Sequence, residues 1–362
     1  MDKYTDNHGN SHNIAFRFIV FEENGDYIGC FSDPDTPEWL EIEERFNHLL
    51  DSPSHASITY TDFENQCRSI IKANPMFLDA YAHIAMHYLP PHPLDNVKTA
   101  ARWCRKGYRL AMTLIPEDFS GKIEWCHLSN RPFLRLHHGL ILCALHLGKN
   151  KEAITLMEQH LAWNPNDNIG VRYLIGEAYL RGRMRTEARK VLTENASQDE
   201  YPPSIYSLAL LEFSEGRIVQ ALTWIRRGFA LNPYIAEALN GRENPKPHAR
   251  WHGSNHKGPD VVENYLESAQ MLWEQAPHAL SFLDWAFNAS RGLRERAEFA
   301  EVAESLDIKS DFVERGLWIE RERALKMGIN EETSLCWLEN SKSGDPYNLY
   351  PWEKVKKPYR IM

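Results

Sequence analysis

The stretch RLHHGLILCALHLGKNKEA (135–153) brings His137, His138, Cys143 and His146 close together in the chain. These are residue types that ligate transition metals or move protons near neutral pH. Either chemistry needs the side chains to converge. On a helix, His138 and His146 lie two turns apart, about 12 Å, and Cys143 falls on another face, so no shared site is expected here. A second group, His248, His252 and His256, sits in NPKPHARWHGSNHKGPD (244–260). The i, i+4, i+8 spacing would align three imidazoles on a helix, but Pro245, Pro247, Gly253, Gly258 and Pro259 break one. If the chain holds zinc, these three histidines are the candidates to hold it from a loop. With Lys246, Arg250 and Lys257 the same loop could instead hold an anion. Otherwise it is an ordered cap whose Trp251 packs inward.

Other catalytic signatures are missing from the sequence. There is no GxxxxGK[ST], no GxGxxG behind a strand, no HExxH and no GxSxG. WHGSN (251–255) has no preceding strand to present it. We expect no catalytic residue, no metal and no cofactor. A net charge of −9 opposes general nucleic-acid binding, which needs a basic footprint. No run approaches the roughly 18 apolar residues that a membrane span requires, and DKYTDNHGNSHN after Met1 has no apolar signal core. The six cysteines form no CxxC pair, which suits free thiols in a reducing compartment. A cytoplasmic location is therefore expected.

The elements that position these residues come from a repeat. Gly148, Gly182 and Gly216 fall at steps of 34, inside LGKNKEA, RGRMRTEA and EGRIVQA. The alanines that follow, Ala153, Ala188 and Ala221, fall at steps of 35 and 33. Pro165 and Pro233, each behind an asparagine, lie 68 apart, two further steps. A glycine can end one helix cheaply, a small alanine lets the next pack closely, and a proline stops it. Thirty-four is the period of the tetratricopeptide repeat, a helix–turn–helix unit that covers its apolar face by stacking on its neighbours. YLIGEAYLRGRMRTEARKVL (173–192) carries the pattern best, with Gly176, Tyr179 and Ala188 at that family's glycine, tyrosine and alanine positions.

The expected fold is all-α, a TPR-like solenoid wound as a right-handed superhelix, with a short N-terminal β-hairpin and 60–70% helix. IAFRFIVF (14–21) and DYIGCF (26–31) flank the turn EENG and read as that hairpin. We expect the hairpin segment over 1–36, about five helix pairs over 37–290 with a loop insertion at 241–259, capping helices over 291–342, and a tail over 343–362. The tail is basic and aromatic, WEKVKKPYRIM. Three ordered segments, NPNDNIGVRYLIGEAYLRGR, FALNPYIAEALNGRENP and GPDVVENYLESAQMLW, resemble the TPR-like proteins related to the suppressor of tumorigenicity family. That resemblance implies the fold and a protein-interaction role. It brings no catalytic residues, and the membrane segments of eukaryotic members have no counterpart here.

In the repeat register, His138 recurs as Tyr173 and Tyr206, and one turn later stand Leu142, Glu177 and Leu210. We expect these six to line a concave groove that holds a protein or peptide partner by stacking, apolar contact and a few hydrogen bonds. The alternative is that Tyr173 and Tyr206 fill seams between repeats. The two-carboxylate clamp of chaperone-binding TPR domains is not expected, because DAYAHIAMHY puts Ala82 and Met86 where it needs Lys and Asn. The leading function is a non-enzymatic adaptor or scaffold. The alternatives are a metal protein or enzyme using the 248–256 histidines, and a TPR-type peptide-sensing regulator, which the N-terminal hairpin counts against. The hairpin could also join two copies edge to edge in a homo-oligomer.

Overall fold

A computed structural model describes residues 15–51, 59–92, 94–241, 258–342 and 349–353. Of these, 71% are helical. The chain packs as two units, Met1–Arg172 and Tyr173–Met362, so the division falls inside the stretch that the repeat pattern treats as continuous.

The first unit opens with β1 (Arg17–Glu23) and β2 (Asp26–Ser32), an antiparallel hairpin in which Glu23 faces Asp26 and Val20 faces Gly29. Its turn is Asn24-Gly25, with φ of +53° and +87°. A two-residue turn with both φ values positive is the type I′ geometry that Asn-Gly favours and that matches strand twist. A lone hairpin is marginal, and here β2 is tied down. Gly29 N–H donates to Lys122 O (2.7 Å), Lys122 N–H donates to Tyr27 O (2.8 Å), and the buried Asn130 side chain latches Phe31 N–H (2.9 Å) and Gly29 O (3.1 Å).

Six helices follow: α1 (Pro37–Asp51), α2 (Tyr60–Ala73), α3 (Leu78–Met86), α4 (Val97–Met112), α5 (Arg131–His146) and α6 (Asn150–Trp163). Thr59 caps α2, its hydroxyl accepting from Asp62 N–H at 3.1 Å. The helices pack in chain order, with α3 also against α5. Phe31 from the hairpin joins their core beside Trp39, Phe77 and Phe133.

The second unit holds α7 (Arg172–Arg181, its first residue at the division), α8 (Arg185–Gln198), α9 (Pro202–Ser214) and α10 (Ile218–Leu231). They are followed by α11 (Pro233–Leu239), α12 (Asp260–Gln275), α13 (Ala279–Asn288), α14 (Ser290–Ile308), α15 (Phe312–Met327) and α16 (Glu331–Ser341). Asn232 ends α10 and starts α11, its side chain accepting from Tyr234 N–H at 3.1 Å and Ile235 N–H at 3.3 Å, with Pro233 at the first helical position. Helix α10 is the hub, packed against α9, α11, α13, α14 and α16. At its centre Arg226, almost fully buried, reaches Glu295 (2.7 and 2.9 Å), Thr333 (2.9 Å) and Ser334 (2.8 Å).

The helix–turn–helix pairs are TPR-like in their turns. Lys149 N–H donates to Ala144 O, Met184 to Tyr179 and Arg217 to Glu212, all at 2.8–2.9 Å. The residue before each donor is left-handed: Gly148 (φ +68°), Arg183 (φ +60°) and Gly216 (φ +78°). This six-to-one bond over a left-handed residue is the Schellman closure. Gly182 was the expected turn residue, and the structure moves that position to Arg183. Helix α7 runs one residue further, with Gly182 N–H still bonded to Ala178 O (2.9 Å). The steps of 35 and 33 among the buried Ala153, Ala188 and Ala221 therefore give the true phase.

Candidate functional site

The residues expected to line a groove do not form one open surface. In the second unit, Tyr206 on α9 is fully buried. Its ring lies over Gly228 of α10, where an added Cβ would come within 2.9 Å, and 6.2 Å from the ring of Tyr265 on α12. Its hydroxyl donates to Asn232 O at 2.8 Å. Leu210 and Glu177 are also buried. These three positions are corrected from groove surface to core: Leu210 joins the central apolar cluster, and Tyr206 is closed over by α10 and by α12. That helix lies against α9, α11 and α13, and Arg181 at the end of α7 donates to Ser268 O at 2.6 Å.

The helix brings a polar connection with it. Ser207 Oγ donates to Glu177 Oε1 (2.6 Å) and lies 3.3 Å from the Tyr265 hydroxyl, which accepts from Trp273 Nε1 (2.8 Å). Burial pushes the Glu177 carboxyl above its ordinary pKa, with the Ser207 bond opposing. Buried polar atoms must be paired or they cost about 1–3 kcal/mol each, so this chain also fixes the register of α12. The face that the repeat register marks as receptive thus receives a helix of its own chain. Tyr173 alone of the four stays half-exposed, with its hydroxyl on Asp199 (3.0 Å) and its ring 4.3 Å from that of Tyr201.

In the first unit, His138 and Leu142 are partly exposed on α5, and Leu142 packs beside Leu89, Ala101 and Cys143. His146 is exposed, and Cys143 meets Cys104, away from the imidazoles. The hydrogen bond between the two thiols, with burial second, holds Cys104 protonated. His137 does find a partner: its Nδ1 lies 3.2 Å from Nδ1 of the equally buried His160 on α6. One ring must donate and the other accept, so the two are never both protonated. Burial lowers His137 to about 3 and His160 to about 4. The Nε2 atoms of His137 and His160 are buried without a partner. Tyr108 stacks on the His137 ring at 5.4 Å and Trp163 meets it edge-on at 5.1 Å, which marks a packed pair and not a cleft. Sequence reasoning missed His160. The available signal was its distance from Gly148, nearly that of His137 on the other side, because residues equidistant from the turn meet in an antiparallel pair.

Two features lie outside the expected site. Helix α15 has no buried residue, and Phe312, Val313 and Leu317 are 89%, 71% and 69% exposed. Among the described residues one set of metal-competent side chains gathers: Glu124, Cys126 and His127, with ligand atoms within 4.8 Å of one another. His248, His252 and His256 lie outside the described residues. No described helix is long and apolar enough to cross a membrane.

No family model matches the chain, and no curated protein matches it. Among solved structures, the crystal structure of MamA aligns with a TM-score of 0.37 and 14% identity, over 48% of this chain and 90% of that one.

Proposed function

We propose that the chain is a non-enzymatic protein-interaction scaffold, and that its partner is a protein or peptide engaged through apolar side chains. The observation that carries this reading is the surface of α15. Val313, Leu317, Ala324 and Met327 follow helical spacing along its open side, with Phe312 beside them and Ile308 at the end of α14. Glu320 falls between Leu317 and Ala324 on the same side and pairs with Arg323 at 2.6 Å, and Lys309 and Glu314 pair at 3.1 Å near the start of the helix. An uncovered apolar face with ion pairs on and beside it is the kind of surface a protein partner covers. Its spacing suits a helix that offers anchors one turn apart.

His138 and Leu142 in one unit and Tyr173 in the other remain candidate contacts, each with an apolar or aromatic body and a partly open face. The relationship to the suppressor of tumorigenicity family, a cytoplasmic location, and the absence of nucleic-acid and membrane partners belong to the same proposal. So does self-association through the hairpin, whose exposed Ile19, Phe21 and Tyr27 could meet a second copy.

The test is quantitative capture and mass spectrometry with the wild type against Val313→Asp/Leu317→Asp. Neither residue is buried, so the double variant keeps its helical circular dichroism. A partner whose recovery falls at least tenfold with the variant supports the reading. An unchanged partner list and unchanged yields refute it.

A further inference from the structure

The loop between α4 and α5 is held on both sides. Ile123 N–H donates to Trp163 O (2.8 Å), Trp125 N–H to Asn164 Oδ1 (3.1 Å), and Arg131 Nε to Trp125 O (3.1 Å). Asn130 Nδ2 donates to Glu124 O at 3.0 Å. From this fixed frame, the side chains of Glu124, Cys126 and His127 turn toward one another, Cys126 Sγ standing 3.7 Å from Glu124 Oε2. The ring of Phe21 meets that of His127 edge-on at 5.7 Å and sets its orientation. Yet His127 Nε2 is buried with no hydrogen-bond partner. A buried imidazole nitrogen without a partner calls for an explanation.

We propose that Glu124, Cys126 and His127 form a binding site for a borderline divalent cation, Zn²⁺ by preference, with one coordination position left open. A tetrahedral zinc with sulfur at about 2.3 Å and oxygen or nitrogen at about 2.1 Å puts its ligand atoms about 3.6 Å apart. The Cys126–Glu124 separation already meets that value, and the remaining separations need about 1 Å of closure. One thiolate and one imidazole select zinc over magnesium or calcium, which prefer all-oxygen shells. The exposed Cys126 gives the ion an approach from solvent. Binding is balanced by release of the Cys126 thiol proton to solvent as the sulfur–metal bond forms. The bound ion would brace the loop whose Lys122 and Asn130 hold β2, so loading would stiffen the seat of the hairpin.

The experiment uses the full chain, produced without a histidine tag, stripped with a chelator and titrated with Co²⁺ and then Zn²⁺. One equivalent of Co²⁺ giving a thiolate-to-metal charge-transfer band, displaced by one equivalent of Zn²⁺, is the expected result. The band disappears in Cys126→Ser and His127→Ala, and Glu124→Ala weakens binding at least tenfold. Cys336→Ser and the triple variant His248→Ala/His252→Ala/His256→Ala keep it. Should the substitutions disturb the fold, alkylating Cys126 in the folded Cys336→Ser protein blocks the thiolate with no residue of the site substituted, and removes the band. A wild type with no stoichiometric band, or a band that survives in Cys126→Ser, overturns the proposal. So does a band lost in the triple histidine variant and kept in His127→Ala.

Discussion

Three turns share one hydrogen-bond pattern, and two of them have glycine at the left-handed position where the third has arginine. This makes a controlled comparison of backbone strain. An L-residue in the left-handed region costs about 1–2 kcal/mol, and glycine carries an unfolded-state entropy penalty of about 0.5–1 kcal/mol. Against Gly148 and Gly216, an added Cβ meets no atom within 4 Å, so Gly148→Ala and Gly216→Ala suffer strain without a clash. Each should destabilise the chain by about 1 kcal/mol, the difference of the two terms. Arg183 is exposed and left-handed at φ +60°, so Arg183→Gly should stabilise by about 0.5–1 kcal/mol, and Arg183→Asn should fall between. Equilibrium urea unfolding of the full chain, followed by circular dichroism, reads these changes at constant slope. In a unit of this size about 1 kcal/mol moves the thermal midpoint by roughly 2–4 °C. If Arg183→Gly destabilises, or carries the same sign as Gly216→Ala, the Schellman alignment of the three turns is wrong.

The buried histidine pair gives a pH signature. His137 (about 3) and His160 (about 4) both sit below the unfolded value of 6.5, so the unfolded chain takes up protons first. Their contribution is complete above that value and is lost as pH falls toward 4, about 2 kcal/mol for each ring at pH 5. His137→Leu/His160→Leu should flatten the fall in urea midpoint between pH 8 and pH 5, and an equally steep fall in the variant would refute it. Arg226→Ala should cost about 3 kcal/mol by stripping Glu295, Thr333 and Ser334 of a shared donor, while Arg226→Lys recovers only part because one ammonium cannot span the three. A loss under 1 kcal/mol in urea unfolding would count against that network. Asn130→Ala should cost about 1–3 kcal/mol and speed proteolysis at the Asn24-Gly25 turn. Cleavage at the wild-type rate would mean that the latch does not hold the hairpin.

Much of the local structure was legible because it follows from backbone preferences and side-chain period. Asn24-Gly25 specified a tight hairpin, since few other residues accept two successive positive φ values. Asn-Pro at 164–165 and 232–233 ended α6 and α10, since proline cannot extend the helical ladder. The alanine phase located the three turns more accurately than the glycine phase, because close helix packing at Ala153, Ala188 and Ala221 tolerates no larger side chain, whereas Arg183 could take a strained turn that glycine would take freely. The candidate groove was legible only halfway. The register put Glu177, Tyr206 and Leu210 on an open groove, whereas all three are buried, because it carries no record of α12 packing beside α9.

By itself, the sequence determined the elements and which residues share a face of each: period and dihedral preference act over a few residues. Tertiary structure decided what covers each face. It put α12 over Tyr206, His160 against His137, and Glu124, Cys126 and His127 around one point. Those meetings depend on packing between elements distant in the chain, or on a loop pinned by them, and side-chain period carries no record of the partner.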